Sequence, residues 1–189
     1  MKLWLLRHAR VVLPPGLCYG ASDVAADESL TRAGAQAIAP LLPAGLPVRV
    51  SDLLRAQQMH RALLDHRPDL GEAVTDPRIR EMDFGDWEQV AWDAVPRAAF
   101  DTWMADFASH RFGGAESVEQ LIERVADALD ATRAAMGGDG AALWITHAGV
   151  IRAAQFLAQH GRRRIASVRE WPKDAPETGA QVQRQPGPG

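Results

Sequence analysis

Short apolar runs alternate with segments of helical periodicity along most of the chain. Leu3 to Leu6 reads as a buried strand, and Thr31 to Leu42 as a helix capped by Thr31. Val48 to Val50 is a second short strand, running into a helix from about Leu53 to His66. The clearest helix starts at Ser117. Ser117 and Gln120 form a capping box there, Val118, Leu121, Ile122, Val125 and Leu129 recur on one face, and Gly137 and Gly138 end the run. Ala141 to Thr146 is another buried strand, and from Gly149 a helix carries Ile151, Ala154 and Leu157. Strands alternating with helices predict an α/β fold, a three-layer sandwich whose mainly parallel sheet is covered by helices on both faces.

Two segments depart from that rhythm. Residues 86–114 gather Trp87, Trp92, Phe100, Trp103, Phe107 and Phe112 in a helical pattern. Aromatics at that spacing predict either the core face of a covering helix or a lid-like insertion over a substrate, and the two readings are compatible. From Pro172 to Gly189 the chain is rich in Pro and Gly and has one branched aliphatic residue, Val182, which predicts a mobile tail after a single domain over residues 1–171.

Composition narrows the function classes. The 189 residues carry a formal charge of −3, so no overall field draws the chain to nucleic acid or an anionic membrane. With Cys18 as the one cysteine, an internal disulfide and zinc sites built on paired cysteines are excluded. The apolar run before Arg7 is too short for a secretion signal, and the uncharged stretch Ala37 to Val48 is broken by three prolines. A cytoplasmic location is expected. No apolar stripe identifies an oligomer interface.

In open α/β sheets ligands bind beyond the carboxyl ends of the strands, and two strands end in histidine, at His8 and His147. Either alone has a structural explanation; two at equivalent strand ends, one flanked by Arg7, point to a site. Arg55 falls in the first turn of a helix, where the macrodipole disfavours a cation unless an anion is bound beside it. Arg7, Arg55 and the two histidines suit a phosphoryl group, because guanidinium forks match phosphate oxygens. The stretch Arg80 to Glu88 holds four acids, any of which is a candidate proton donor to a leaving oxygen. Residue types alone do not choose among them.

Taken in order, these segments resemble the histidine phosphatase superfamily, in its phosphoglycerate-mutase-like branch. The matching blocks are Leu6-Arg7-His8-Ala9, Leu30 to Gly34 with Gln36-Ala37, Ser51 to Arg55, Glu81 to Glu88, and Thr146 to Arg152. Gly16 to Val24 is most similar to the alpha-ribazole phosphatases of cobalamin assembly. The resemblance implies a phosphomonoesterase in which His8 is the nucleophile, Arg7, Arg55 and His147 clamp the phosphoryl oxygens, and Glu81 serves the leaving oxygen and then water. It also implies that Ala148, Gly20 and Ser22 contact phosphate or substrate. A small phosphomonoester is the expected partner, with alpha-ribazole 5'-phosphate as a candidate, and neither metal nor other cofactor is expected. A phosphoglycerate-mutase-like phosphoryl transferase and a non-catalytic phospho-ligand-binding module are the alternatives.

The chain departs from the family pattern at several positions. Ala9 stands where glycine is usual and is expected to crowd the backbone near the phosphate. Arg10, Val11 and Pro14 replace polar residues, Ala148 replaces another glycine, and Gln89 follows Glu88 where glycine is common.

Overall fold

The computed structural model describes residues 1–137, 140–174 and 183–185. Among them lie the strands β1 (Lys2–Arg7), β2 (Val48–Val50), β3 (Val74–Thr75), β4 (Ala141–Thr146) and β5 (Gln183–Gln185). The helices are α1 (Glu28–Ile38), α2 (Leu54–Leu64), α3 (Arg97–Ala105), α4 (Val118–Met136) and α5 (Ala148–His160). The described strands form one sheet in the order β3-β2-β4-β1-β5, parallel throughout except for β5, which runs antiparallel along β1.

Alternation along the central strands sorts the core into two layers. Leu3, Leu5, Ala142 and Trp144 face α4 and α5, whereas Leu6, Val48, Val50, Leu143 and Ile145 face α1 and α2. Both faces are thus covered, and β1 and β4 are apolar on both sides as buried parallel strands require. The expected three-layer α/β sandwich is the observed fold.

The ends of the elements follow local chemistry. At α4, Ser117 accepts from the Gln120 N–H and Gln120 returns a bond to the Ser117 N–H, while Gly137 closes the helix in the left-handed region at φ 64°. Gly138 lies outside the described residues. Thr31 is not the cap of α1. The Asp27 carboxylate accepts from the Leu30 N–H and starts the helix a turn earlier, and the Thr31 hydroxyl donates inside the helix to the Asp27 carbonyl. Within the segment expected as a tail, Gln183–Gln185 pair with β1, and residues 175–182 and 186–189 lie outside the described residues.

Residues 86–114 fold as short 3-10 turns and α3 around a cluster of rings. Trp103 stacks on Phe112 at 4.5 Å between centroids, and Phe84, Trp92 and Phe100 pack around Phe112, which is completely buried. The turn at Gly85 depends on glycine. Its φ is +50°, and a Cβ there would sit 2.0 Å from the Gly113 carbonyl oxygen.

Candidate active site

The pairing of β1 with β4 builds the centre of the site. Arg7 is in register with Thr146, so the next residue of each strand is a histidine, and the two rings lie 5.0 Å apart. One strand over, Val50 pairs with Ile145, which sets the Ser51 hydroxyl 2.8 Å from His147 Nε2.

His8 is held in one tautomer. Its Nδ1 lies 2.6 Å from the Ala9 carbonyl, which can only accept, so Nδ1 carries the proton and Nε2 keeps its lone pair. That lone pair receives the Arg55 Nε–H at 3.2 Å. Burial, reinforced by the Arg55 and Arg7 charges against the opposing Ala9 bond, pulls the His8 pKa down to about 3. The ring is neutral at physiological pH, with the Nε2 lone pair directed at Arg55. His147 is also fully buried; desolvation first, then Arg55 and His8, hold its pKa well below the usual range. Its Nδ1 has no hydrogen-bond partner among the described residues.

Arg55 enters from the first turn of α2 with no solvent exposure. It donates to the Ser22 carbonyl at 2.7 Å and the Gly20 carbonyl at 2.6 Å as well as to His8, and desolvation lowers its pKa. The neighbouring loop also caps this helix, Asp23 accepting from the Leu54 N–H at 2.7 Å. Gly20 and Ser22 therefore meet the site through their carbonyl oxygens. The Ser22 hydroxyl donates to Glu88.

Glu81 is fixed at the start of α5. Its carboxylate accepts from the Gly149 N–H at 3.0 Å and from the Met82 N–H at 3.0 Å, and a Cβ at Gly149 would meet Oε1 at 2.2 Å. Arg124 on α4 braces this segment by donating to the carbonyls of Arg78, Arg80 and Glu81 while bonded to Glu116. The Thr146 hydroxyl donates to the Ile79 carbonyl just before it. Ala148 is the buried first residue of α5, directly after His147. Ala9, expected to crowd the phosphate, is completely buried and packs in the core layer that includes Leu6, Ala26 and Ala35.

Several contributors were not singled out from sequence. Glu88 accepts from the Ala21, Ser22 and Phe84 N–H groups, tying the Gly20 loop to the Phe84 turn. Ser51 and Arg124 orient catalytic candidates, and Arg152 lines a cavity of about 370 Å³ together with Glu81, Phe84, Trp103, Phe107 and Trp171. Glu88 stood among four acids with nothing to distinguish it; Arg124 reads as an ordinary charge on a helix surface. Among the described residues no group of three or more His, Cys, Asp or Glu side chains is placed to hold a metal ion.

The profile of the histidine phosphatase superfamily (branch 1) matches residues 3–174. The chain belongs to this superfamily. As a histidine phosphatase it is similar to TTHB049 from Thermus thermophilus, with 28% identity, a TM-score of 0.64 and coverage of 84% of this chain and 85% of that one. It is also similar to a mycobacterial glucosyl-3-phosphoglycerate phosphatase, with 25% identity, a TM-score of 0.69 and coverage of 82% and 79% respectively. A structure of that phosphatase in complex with VO3 aligns at 26% identity and a TM-score of 0.69, covering 84% of this chain and 82% of that one. No curated protein matches the sequence. No helix among the described residues of this histidine phosphatase is long and apolar enough to cross a membrane.

Proposed function

We propose that the protein is a phosphomonoesterase that works through a phosphohistidine on His8 without a metal ion. The observation that carries this reading is the His8 Nε2 lone pair, kept unprotonated and facing the Arg55 guanidinium. A phosphate oxygen entering here takes over the Arg55 N–H, which frees Nε2 to attack phosphorus. The N–P bond forms as the ester P–O bond breaks, Arg7, Arg55 and His147 stabilise the equatorial oxygens, and Glu81 gives its proton to the leaving oxygen. In the second half Glu81 takes a proton from water, whose oxygen attacks phosphorus and returns the bonding pair to Nε2.

The similarity to a glucosyl-3-phosphoglycerate phosphatase supports hydrolysis over a purely binding role. The similarity of Gly16 to Val24 to alpha-ribazole phosphatases, with the aromatic wall near Glu81, keeps alpha-ribazole 5'-phosphate as a candidate ester. The test is phosphate release from this ester and from an aryl phosphate, with chelator present, by wild type and His8→Ala. Chelator-resistant release by wild type alone, with an acid-labile phosphoenzyme, is expected. Release unaffected by His8→Ala overturns the mechanism, and an isomerised phosphoester in place of free phosphate assigns the chain to the mutases.

A further inference from the structure

The cavity beside Glu81 contains a charge that the phosphoryl site does not use. Arg152, on α5 one turn after Gly149, is half-buried and makes no hydrogen bond or ion pair among the described residues. Its charged surroundings are Glu81, which favours the cation, and Arg7, which opposes it. This is unlike Arg67, Arg78 and Arg124, each of which is tied to a carboxylate. The Arg152 Nε is the atom enclosed without a hydrogen-bond partner among the described residues, and Glu81 supplies charge but no hydrogen bond, so the donors of this guanidinium are left for a ligand in the cavity. A second donor in the same wall, the buried indole N–H of Trp103, is also unpartnered among the described residues.

The rest of the lining specifies the remainder of the ligand. Phe84, Trp103, Phe107 and Trp171 supply flat apolar walls, and Arg152 is the one cation among the lining residues. With Glu81 in the same wall the lining carries no net positive charge, which disfavours a second dianionic phosphate and suits a single carboxylate held by paired hydrogen bonds to Arg152. Glu81 borders both this cavity and the phosphoryl site, so the group held here is the one whose oxygen leaves phosphorus.

We infer that this cavity binds the leaving group of the substrate, an apolar, ring-bearing alcohol with one carboxylate that pairs with Arg152. The inference rests on the phosphomonoesterase reading for the identity of the reacting end. Guanidinium and carboxylate match in a two-point geometry, which makes Arg152 a specificity-determining residue.

The test compares phenyl phosphate, the three carboxyphenyl phosphate isomers and alpha-ribazole 5'-phosphate as substrates of wild type, Arg152→Met and Arg152→Lys. Wild type should prefer at least one carboxylated isomer over phenyl phosphate by about tenfold or more in kcat/KM, mainly through KM. Arg152→Met should lose that ratio, and Arg152→Lys should keep part of it. A merely structural role would slow all esters together and leave the ratio unchanged, which would overturn the inference. So would the absence of any preference in wild type, or faster turnover of alpha-ribazole 5'-phosphate than of every carboxylated ester. If Arg152→Met does not fold, the wild-type preference and the Lys variant decide. Failure of wild type to hydrolyse any ester defeats the phosphatase reading separately; the same esters titrated onto His8→Ala by tryptophan fluorescence then judge Arg152 through the ratio of Kd values.

Discussion

Arg55 Nε donates to His8 Nε2 at 3.2 Å, so the cation proposed to hold the phosphate is already bonded to the nitrogen proposed to attack it. Protonation of His8 would set two buried positive groups against each other, and burial and this charge together account for the low pKa.

The first prediction concerns pH. Between the unfolded value of 6.5 and the folded value of about 3, unfolded His8 binds a proton that the folded protein refuses. The stability associated with neutral His8 is therefore complete above pH 6.5 and is lost as pH falls through this window, by about 1.4 kcal/mol per pH unit. His147, lowered in the same direction, steepens the loss. Urea midpoints measured from pH 7 to 4 should fall less steeply for His8→Asn than for wild type. Nitrogen NMR at pH 6 should find His8 neutral with its proton on Nδ1.

Gly149→Ala should separate stability from activity. The position lies in α5, where alanine is a better helix former by about 1 kcal/mol, yet its methyl would occupy the space of Glu81 Oε1. The expected outcome is a thermal midpoint near or slightly below wild type with kcat reduced by about 10²-fold, as befits a displaced acid–base group. Unchanged kcat would remove Glu81 from proton transfer.

Glu88 is predicted to act through Arg55. Glu88→Ala would strip acceptors from the Ala21, Ser22 and Phe84 N–H groups and release the loop whose carbonyls fix the guanidinium. A stability loss of about 2 kcal/mol is expected, with a larger rise in KM than fall in kcat. Glu88→Gln, which retains an acceptor oxygen, should recover part of both.

Ala9→Gly should bring the chain closer to its family without improving it. Because the Ala9 methyl is buried in the α1–α2 core layer, its removal should destabilise by about 1 kcal/mol. Steady-state kinetics should register no gain in kcat/KM; a severalfold gain would mean that the methyl does restrict the phosphate.

Much of this site was legible because strand ends are local features. Apolar runs closing in His8 and His147 needed only the rule that parallel sheets bind ligands at their carboxyl edge, and register did the rest. The Ser117 capping box was equally local. Asp27 was missed because Thr31 offered a competing cap one turn later; in the fold the Asp27 carboxylate accepts from the Leu30 N–H, whereas the Thr31 hydroxyl is spent donating to the Asp27 carbonyl. Glu81 and Glu88 have the same chemistry and nearly the same address; what separates them is that one meets the start of α5 and the other a loop from the N-terminal part of the chain. That Arg152 Nε finds no hydrogen-bond partner among the described residues is likewise a property of packing that no spacing encodes.

The register of β1 on β4 also bears on the order of events during synthesis. His8 directly follows β1 and His147 directly follows β4, so segments far apart in the chain must pair before the two rings meet. A nascent chain that has made α2 carries Arg55 for His8 but not yet His147. On the proposed mechanism turnover would require β4 in its place between β2 and β1, and the onset of activity during synthesis would then report completion of the sheet.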